Sequence, residues 1–178
     1  MDDGGDGATS VLIVEDERGV ADLIEDSIAG DYDVSVASNG ADAIAMLDEP
    51  VDVVLLDRRM PDVSGDQVLS EIETRALECR IAVVTAVDPD FDIIDMGFDD
   101  YLVKPVRPRE LRRTVERLEA LADVEAKHQE LSSKLVKRNI LEVEKSAEEL
   151  ADNPEFVALT ERIDELEDEL EELEAEFD

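Results

Sequence analysis

The chain has 178 residues and carries 17 lysines and arginines against 50 aspartates and glutamates, a formal net charge of −33. Its hydrophobic content of 43% suffices for a packed core, so the composition excludes a wholly disordered chain and places the acidic residues on the surface. Because molar salt shortens the Debye length to about 3 Å and relieves self-repulsion, we expect a cytoplasmic protein of a salt-accumulating, halophilic organism.

The charge is distributed unevenly along the chain. Residues 1–105 hold 6 basic and 27 acidic side chains, residues 106–145 hold 10 and 8, and residues 146–178 hold 1 and 15. Such asymmetry predicts segments with separate roles. The acidic, glycine-rich start of the chain predicts a disordered leader over residues 1–9. The single cysteine excludes a disulfide framework, and the absence of an apolar run of about 18 residues predicts no membrane span.

Short β-branched runs alternate with amphipathic segments in the first two thirds of the chain. The runs that predict strands lie at residues 11–14, 33–36, 51–56, 80–84 and 100–103. The segments that predict helices lie at residues 17–29, 40–48, 65–75 and 90–96, and a further helix begins near Pro108. This alternation predicts an α/β domain over residues 10–122, with a five-stranded, parallel, doubly wound sheet covered by helices on both faces.

Acidic, hydroxyl and ammonium side chains mark the ends of four predicted strands. Glu15 and Asp16 follow the first strand, Asp57 follows the third, Thr85 follows the fourth and Lys104 follows the fifth. In a parallel sheet the carboxyl ends of the strands are where ligands bind, and a carboxylate there can act as a nucleophile or hold a metal ion. Each residue alone would be an ordinary turn residue, helix cap or exposed charge, so the predicted site depends on all of them together.

The C-terminal third predicts an all-α hairpin or coiled-coil segment over residues 123–178. The helical pattern that starts at Pro108 continues without glycine or proline to about Leu150, and residues 152–154 end it and start a second helix. Apolar residues of the second helix keep a 3-4 spacing that predicts a helix–helix contact: Phe156, Leu159, Ile163, Leu166, Leu170, Leu173 and Phe177. We expect them to pack on apolar residues of the first helix: Val136, Ile140, Val143 and Leu150. Since one hairpin buries little, two chains should join through these helices as a homodimer.

The motifs at the strand ends resemble the receiver domain of two-component response regulators. The matching residues are Glu15-Asp16, Asp57-x-x-Met60-Pro61-x-x-x-Gly65, Thr85-Ala86, Tyr101 and Lys104-Pro105. The resemblance covers residues 11 to about 120 and implies the flavodoxin-like receiver fold. The helical tail resembles the HalX domain of haloarchaeal receivers, which agrees with the acidic composition.

The resemblance implies a role for each residue at the phosphorylation site. Asp57 is expected to be the nucleophile that accepts a phosphoryl group from a sensor histidine kinase and becomes an aspartyl phosphate. Thr85 would hydrogen-bond this phosphate, and Lys104 would pair with it as a point charge. Tyr101 resembles the aromatic residue that rotates with the threonine as a switch. Such a domain catalyses its own phosphorylation and dephosphorylation, and no other enzymatic activity is expected.

The resemblance also implies a magnesium site. Asp16 and Asp57 are expected to hold Mg²⁺ directly together with the backbone carbonyl of Arg59, and Glu15 is expected in the outer shell of the ion. Magnesium prefers hard oxygen ligands and keeps several waters, so this donor set suits it.

One part of the chain departs from the family pattern. The segment from Thr85 to Lys104 is about three residues shorter than usual, so its helix, the fourth, should be limited to barely two turns. Receivers transmit their signal through this face, which puts the usual output or dimer surface in doubt.

Two other functions remain open. A DNA-binding transcriptional regulator could use the basic helix at residues 107–145, although pairing of that helix with the acidic second helix is favoured over nucleic acid. A metal-dependent hydrolase would also use a strand-end aspartate, but it needs a second acid two residues later, where this chain has Arg59. His128, the only histidine, is expected to be a polar residue of the helix contact, so the partner kinase must supply the phosphohistidine.

Overall fold

The computed structural model describes residues 7–177. The leader predicted over residues 1–9 therefore lies mainly outside the described residues. The chain separates into two compact units, with the boundary between Glu119 and Ala120. Among the described residues, no helix combines the length and the apolar character needed to cross a membrane.

The first unit contains five strands with helices between them. The strands are β1 (Ser10–Val14), β2 (Asp33–Ala37), β3 (Val53–Leu56), β4 (Arg80–Thr85) and β5 (Asp100–Val103). The connecting helices are α1 (Arg18–Ile28), α2 (Gly40–Met46), α3 (Gly65–Thr74) and a 3₁₀ helix (Phe91–Asp95), and α4 (Pro108–Glu144) follows β5. All strand pairs are parallel, in the order β2-β1-β3-β4-β5. The predicted parallel, doubly wound α/β fold is confirmed.

The core of this unit lies on both faces of the central strands. Residues 11–14 of β1 and all of β3 are buried, because each of these strands has a neighbour on both sides and helices above and below. This two-sided burial is why their sequences are continuously apolar rather than alternating. Helical residues complete the core, among them Ile24, Ile28, Leu69, Ile72, Leu111 and Val115.

The connection between β4 and β5 differs from the other strand connections of this unit, which contain regular α-helices. The helix predicted at residues 90–96 is a five-residue 3₁₀ helix, capped by the side chain of Asp90. Two of its three apolar side chains, Phe91 and Ile94, are 84% and 74% exposed. The short segment leaves no room for a regular α-helix that could bury an apolar face.

The second unit consists of the last part of α4 followed by α5 (Ala147–Ala151) and α6 (Pro154–Ala175). The prediction of one helix to about Leu150 was wrong at this end, because Ser146 starts a new helix. Its hydroxyl accepts a hydrogen bond from the amide of Glu149, and the carboxylate of Glu149 accepts one from the amide of Ser146. This reciprocal capping box separates α4 from α5.

Ion pairs between α6 and the last part of α4 show that the two helices form an antiparallel hairpin. Lys127 contacts Glu169 at 2.8 Å, and Arg162 contacts Glu130 at 3.0 Å, so residue numbers fall along α6 as they rise along α4. The exposed ring of His128 also lies 2.6 Å from Glu174.

The apolar contacts of the hairpin differ in part from those predicted. Of the seven predicted residues of the second helix, three are buried and three partly buried: Ile163, Leu166, Leu170, and Phe156, Leu159, Leu173. The prediction was wrong for Phe177, which lies beyond the end of α6 and is 37% exposed. The prediction was wrong for three residues of α4, since Val136, Ile140 and Val143 are 57%, 56% and 83% exposed. Another set of α4 side chains is partly buried instead: Leu121, Val124, Leu131 and Leu135.

Candidate functional site

Polar side chains from four strand ends meet at one edge of the sheet. Backbone hydrogen bonds fix the chain just beyond the strands: the amide of Asp57 donates to Val14, and the amide of Lys104 donates to Thr85, at 3.0 and 2.8 Å. Because the strands are parallel and in register, their carboxyl ends deliver these side chains to the same place. The structure thus brings together the residues that the sequence predicted as a site.

Three carboxylates form the acidic part of this site. One oxygen from each of Glu15, Asp16 and Asp57 lies within 4.8 Å of the others. Glu15 and Asp57 are buried, whereas Asp16 is exposed. Hard oxygen donors at this spacing, open to solvent on one side, fit a small divalent cation that keeps several waters.

Lys104 provides the positive charge of the site. Its ammonium lies 2.6 Å from Glu15 and 3.3 Å from Asp57, after β5 and before a cis peptide bond to Pro105. Burial raises the pKa of the Glu15 carboxyl, the charge of Asp57 adds to this, and the hydrogen bond from Lys104 offsets it only in part. Burial alone would lower the pKa of Lys104, but Glu15 and Asp57 outweigh it, so that pKa is raised and the ammonium stays charged.

A hydroxyl and an aromatic ring lie on β4 and β5, at Thr85 and Tyr101. Thr85 is fully buried, and its hydroxyl oxygen accepts a hydrogen bond from the amide of Val87 at 3.3 Å. The hydroxyl of Tyr101 donates to the carbonyl of Val87 at 2.7 Å. The ring of Tyr101 also packs at 5.5 Å, centroid to centroid, on the ring of Phe98. Thr85 and Tyr101 are therefore linked through a single residue of the loop after β4.

The loop after β3 packs tightly beneath Asp57. The amide of Arg59 donates to the carboxylate of Asp57 at 3.3 Å, and the amide of Gly65 donates to the carbonyl of Arg58 at 2.8 Å. A Cβ atom on Gly65 would lie 2.0 Å from the carbonyl oxygen of Asp57, so only glycine allows the start of α3 to approach this closely. The role predicted for the carbonyl of Arg59 as a metal ligand stays a prediction.

Arg58 is a residue of this region that the sequence did not single out. It is 8% exposed, and its guanidinium contacts Asp66, Asp92 and Tyr101. Hydrogen bonds to Asp66 above all, and then to Tyr101 and Asp92, raise the pKa of Arg58. No local pattern indicates this role, because Asp66, Asp92 and Tyr101 lie 8, 34 and 43 residues away along the chain.

Comparison with known protein families accounts for both units. Residues 11–116 match the family described as response regulator receiver domain, and residues 120–178 match the HalX domain. A Haloferax volcanii protein named as a transcriptional regulator is 52% identical over 109 residues, which are 61% of this chain and 19% of that protein. Response regulator SaeR of Staphylococcus aureus is 34% identical over 107 residues, which are 58% of this chain and 47% of SaeR. The chain thus matches less than half the length of these curated relatives.

A solved structure agrees with the family match. The response regulator protein TrrA of Thermotoga maritima, in a complex with Mg²⁺ and BeF, is 28% identical and has a TM-score of 0.54, covering 62% of this chain and 98% of TrrA. Since the receiver match spans residues 11–116 of 178, more than half of the chain, this protein belongs to the response regulator receiver domain family of two-component systems, and a HalX domain follows its receiver domain.

Proposed function

We propose that this protein is a phosphoacceptor switch that receives a phosphoryl group from a sensor histidine kinase on Asp57 and passes the change to its HalX domain. The observation that supports it most is the cluster of Glu15, Asp16 and Asp57 with Lys104 and the buried Thr85 at the same sheet edge. In the reaction, a carboxylate oxygen of Asp57 attacks phosphorus, the bond from phosphorus to the kinase imidazole breaks, and the imidazole nitrogen keeps the electron pair. Because ATP is the phosphoryl donor of such kinases and is a cytoplasmic substrate, we place this reaction in the cytoplasm.

The charged side chains around Asp57 each have a part in this transfer. The ammonium of Lys104 contacts both Glu15 and Asp57 in the unphosphorylated protein. It would contact an oxygen of the phosphoryl group once Asp57 is phosphorylated. The hydroxyl of Thr85 would turn from the amide of Val87 toward another phosphoryl oxygen. Both contacts stabilise the negative charge that the phosphoryl group brings to the site, and they therefore favour phosphorylation of Asp57.

The acidic cluster is proposed to hold Mg²⁺. Asp16, Asp57 and the carbonyl of Arg59 would be direct ligands, and Glu15 would act from the outer shell. When bound, the ion would neutralise phosphoryl oxygens and so lower the barrier to attack by a carboxylate. The complex of TrrA with Mg²⁺ and BeF supports this assignment for a related receiver.

Removing Asp16 should weaken phosphorylation through the metal. In Asp16→Ala, we expect the Mg²⁺ concentration needed for half-maximal labelling by radioactive acetyl phosphate to rise at least about tenfold, because a direct ligand is lost. Circular dichroism should show an unchanged fold, since Asp16 is exposed. Asp22→Ala removes a comparable exposed carboxylate from α1 and serves as the control. Normal labelling of Asp16→Ala without added metal would refute the ligand assignment.

The charge of −33 should make the fold dependent on salt. We expect the thermal midpoint to fall steeply as KCl is lowered from about 3 M, with unfolding below roughly 1 M, because screening between surface carboxylates is lost. The similarity to a Haloferax volcanii protein supports this expectation. A midpoint that stays flat down to about 0.1 M KCl would indicate an ordinary acidic protein instead.

We also propose that the protein is a homodimer joined by the α4 stripe, defined as Val136, Ile140 and Val143. These residues recur at intervals of four and three and so share one face of α4, where they are 57%, 56% and 83% exposed. The stripe adjoins an apolar groove of about 620 Å³ whose lining includes Ile140, Leu141, Leu150, Phe156 and Leu159. Water-exposed apolar surface that is continuous over two helical turns is typical of an interaction site.

Charge favours a second copy as the occupant of the α4 stripe. Lys137 and Glu144 flank it, and among residues 7–177 neither forms an ion pair within its own chain. If two α4 helices cross antiparallel at Ile140, Lys137 of each chain faces Glu144 of the other chain. This gives two equivalent ion pairs around a two-fold axis. The acidic outer face of α6 would repel its copy, so it is disfavoured as the contact.

The DNA-binding alternative is less supported. Basic residues of α4 already contact acidic ones, including Lys127 with Glu169 and Arg117 with Asp100. Phosphate backbone would have to displace these intramolecular partners. Binding to duplex DNA that falls steeply with rising salt would favour the alternative, whereas no binding at low or high salt would favour the protein-interaction role.

A further inference from the structure

Arg58 connects three separate segments next to the phosphorylation site. Its Nε and Nη2 atoms donate to the two carboxylate oxygens of Asp66, at the start of α3, at 3.0 and 3.1 Å. Nη2 also donates to Asp92 of the 3₁₀ helix at 2.6 Å, and Nη1 donates to the hydroxyl of Tyr101 of β5 at 3.4 Å. These four hydrogen bonds exceed the three donors of a lysine ammonium and suit the five donors of a planar guanidinium.

These contacts continue to Thr85 without a gap. The hydroxyl that accepts from Arg58 belongs to Tyr101, which in turn donates to the carbonyl of Val87, and the amide of Val87 donates to the hydroxyl of Thr85. A hydrogen-bonded path thus runs from the residue expected to sense the phosphoryl group to Asp92. The link from Arg58 to Tyr101 is its longest, at 3.4 Å, and so its weakest.

The 3₁₀ helix depends on this path for its position. Within it, Ile93 is the only side chain that is even partly buried, while Phe91 and Ile94 are exposed. A five-residue 3₁₀ helix has few internal hydrogen bonds, and here it buries little apolar surface to compensate. The ion pair between Arg58 and Asp92, whose arginine is shielded from water, is then the main contact that holds the segment.

We propose that Arg58 is a positioning residue that holds the 3₁₀ helix and Tyr101 in their resting arrangement and couples them to the state of Asp57. If Thr85 turns toward a phosphoryl group, the amide of Val87 loses its partner, the loop that Tyr101 contacts can shift, and the long link from Arg58 to Tyr101 breaks. The guanidinium is then less firmly oriented, its ion pair with Asp92 loosens, and the 3₁₀ helix becomes free to move its exposed apolar side chains. The coupling to Asp57, though not the positioning itself, rests on the proposed function.

Hydrogen exchange of the full chain in molar KCl tests the positioning. In unphosphorylated Arg58→Gln, we expect amide exchange across residues 91–95 to accelerate about tenfold, as suits the loss of one charge-assisted hydrogen bond, while exchange in α1 stays unchanged. Asp92→Ala removes the same contact from its exposed side and should give the same acceleration. The double variant should exchange no faster than either single one. Arg75→Gln, which removes an arginine that also has two acidic partners outside the path, is the control.

The second measurement compares hydrogen exchange before and after phosphorylation. In the wild type, acetyl phosphate with Mg²⁺ should accelerate exchange at residues 91–95, and in Arg58→Gln this further acceleration should vanish. Arg58→Lys, which keeps the charge but not the planar set of donors, should restore part of the resting protection of residues 91–95 from exchange. Unchanged exchange in both single variants, or additive effects in the double one, would overturn the proposal. If Arg58→Gln does not fold, Asp92→Ala alone decides. The intact mass separates the two remaining failures: a phosphorylated wild type with unchanged exchange at residues 91–95 overturns the coupling, whereas a wild type that takes up no phosphate overturns the proposed function and leaves the positioning role standing.

Discussion

Replacing Asp57 by asparagine should abolish phosphate incorporation from acetyl phosphate in the presence of Mg²⁺. The amide has no charged oxygen to attack phosphorus and is a poor magnesium ligand, so both contributions of Asp57 disappear at once. The change is nearly isosteric, and the buried side chain keeps one oxygen, which can accept either from Lys104 or from the amide of Arg59. The fold should therefore survive, and the loss should be specific to the reaction.

The measurement is incorporation of labelled phosphate in molar KCl, followed by mass spectrometry of the intact chain. Asp88→Asn, an exposed carboxylate on the loop after β4, is the matched control and should be labelled like the wild type. Unchanged labelling of Asp57→Asn would remove the central claim about this site. Labelling that moves to another acidic residue in the variant would show that the sheet edge, rather than Asp57 itself, selects the acceptor.

The sequence predicts most of the first unit because its signals are local. Each strand is a short apolar run, and a parallel sheet brings the carboxyl ends of such runs to one edge, so Asp57 and Lys104 could be placed together although they lie 47 residues apart. The same reasoning does not predict the burial or the contacts of Arg58. Its burial depends on Asp66, Asp92 and Tyr101, which belong to three elements whose relative positions no local pattern fixes.

The helices of the second unit show where periodicity is ambiguous. Leu131 and Leu135 on one face of α4, and Val136, Ile140 and Val143 on another, both have helical spacing, so the pattern alone does not decide which face packs on α6. The break between α4 and α5 did have a readable signal. Ser146 followed three residues later by Glu149 is a capping box, and the structure forms both of its hydrogen bonds.

The variant Ile140→Glu with Val143→Glu should convert the proposed dimer into a monomer. Two glutamates in the α4 stripe would place four like charges in the apolar part of the contact between two chains, where their burial and mutual repulsion oppose association. Both residues are exposed in the single chain, so the hairpin and the receiver domain should remain folded. Val157→Glu adds a charge at another exposed valine, on α6, and should leave the dimer intact.

Leu166→Asp with Leu170→Asp should have a different effect, because these leucines are buried beside α4 rather than free to contact a second chain. Each buried leucine replaced by a charge should cost roughly 3 kcal/mol or more, so the hairpin itself should unfold and helical signal should be lost. Sedimentation equilibrium and circular dichroism in molar KCl separate the two outcomes: monomers with full helicity for the α4 stripe variant, and loss of helicity for the α6 variant. An unchanged dimer with glutamate at both Ile140 and Val143 would contradict the α4 interface and move the contact to the receiver domain, where the exposed Phe91 and Ile94 would be the next residues to test.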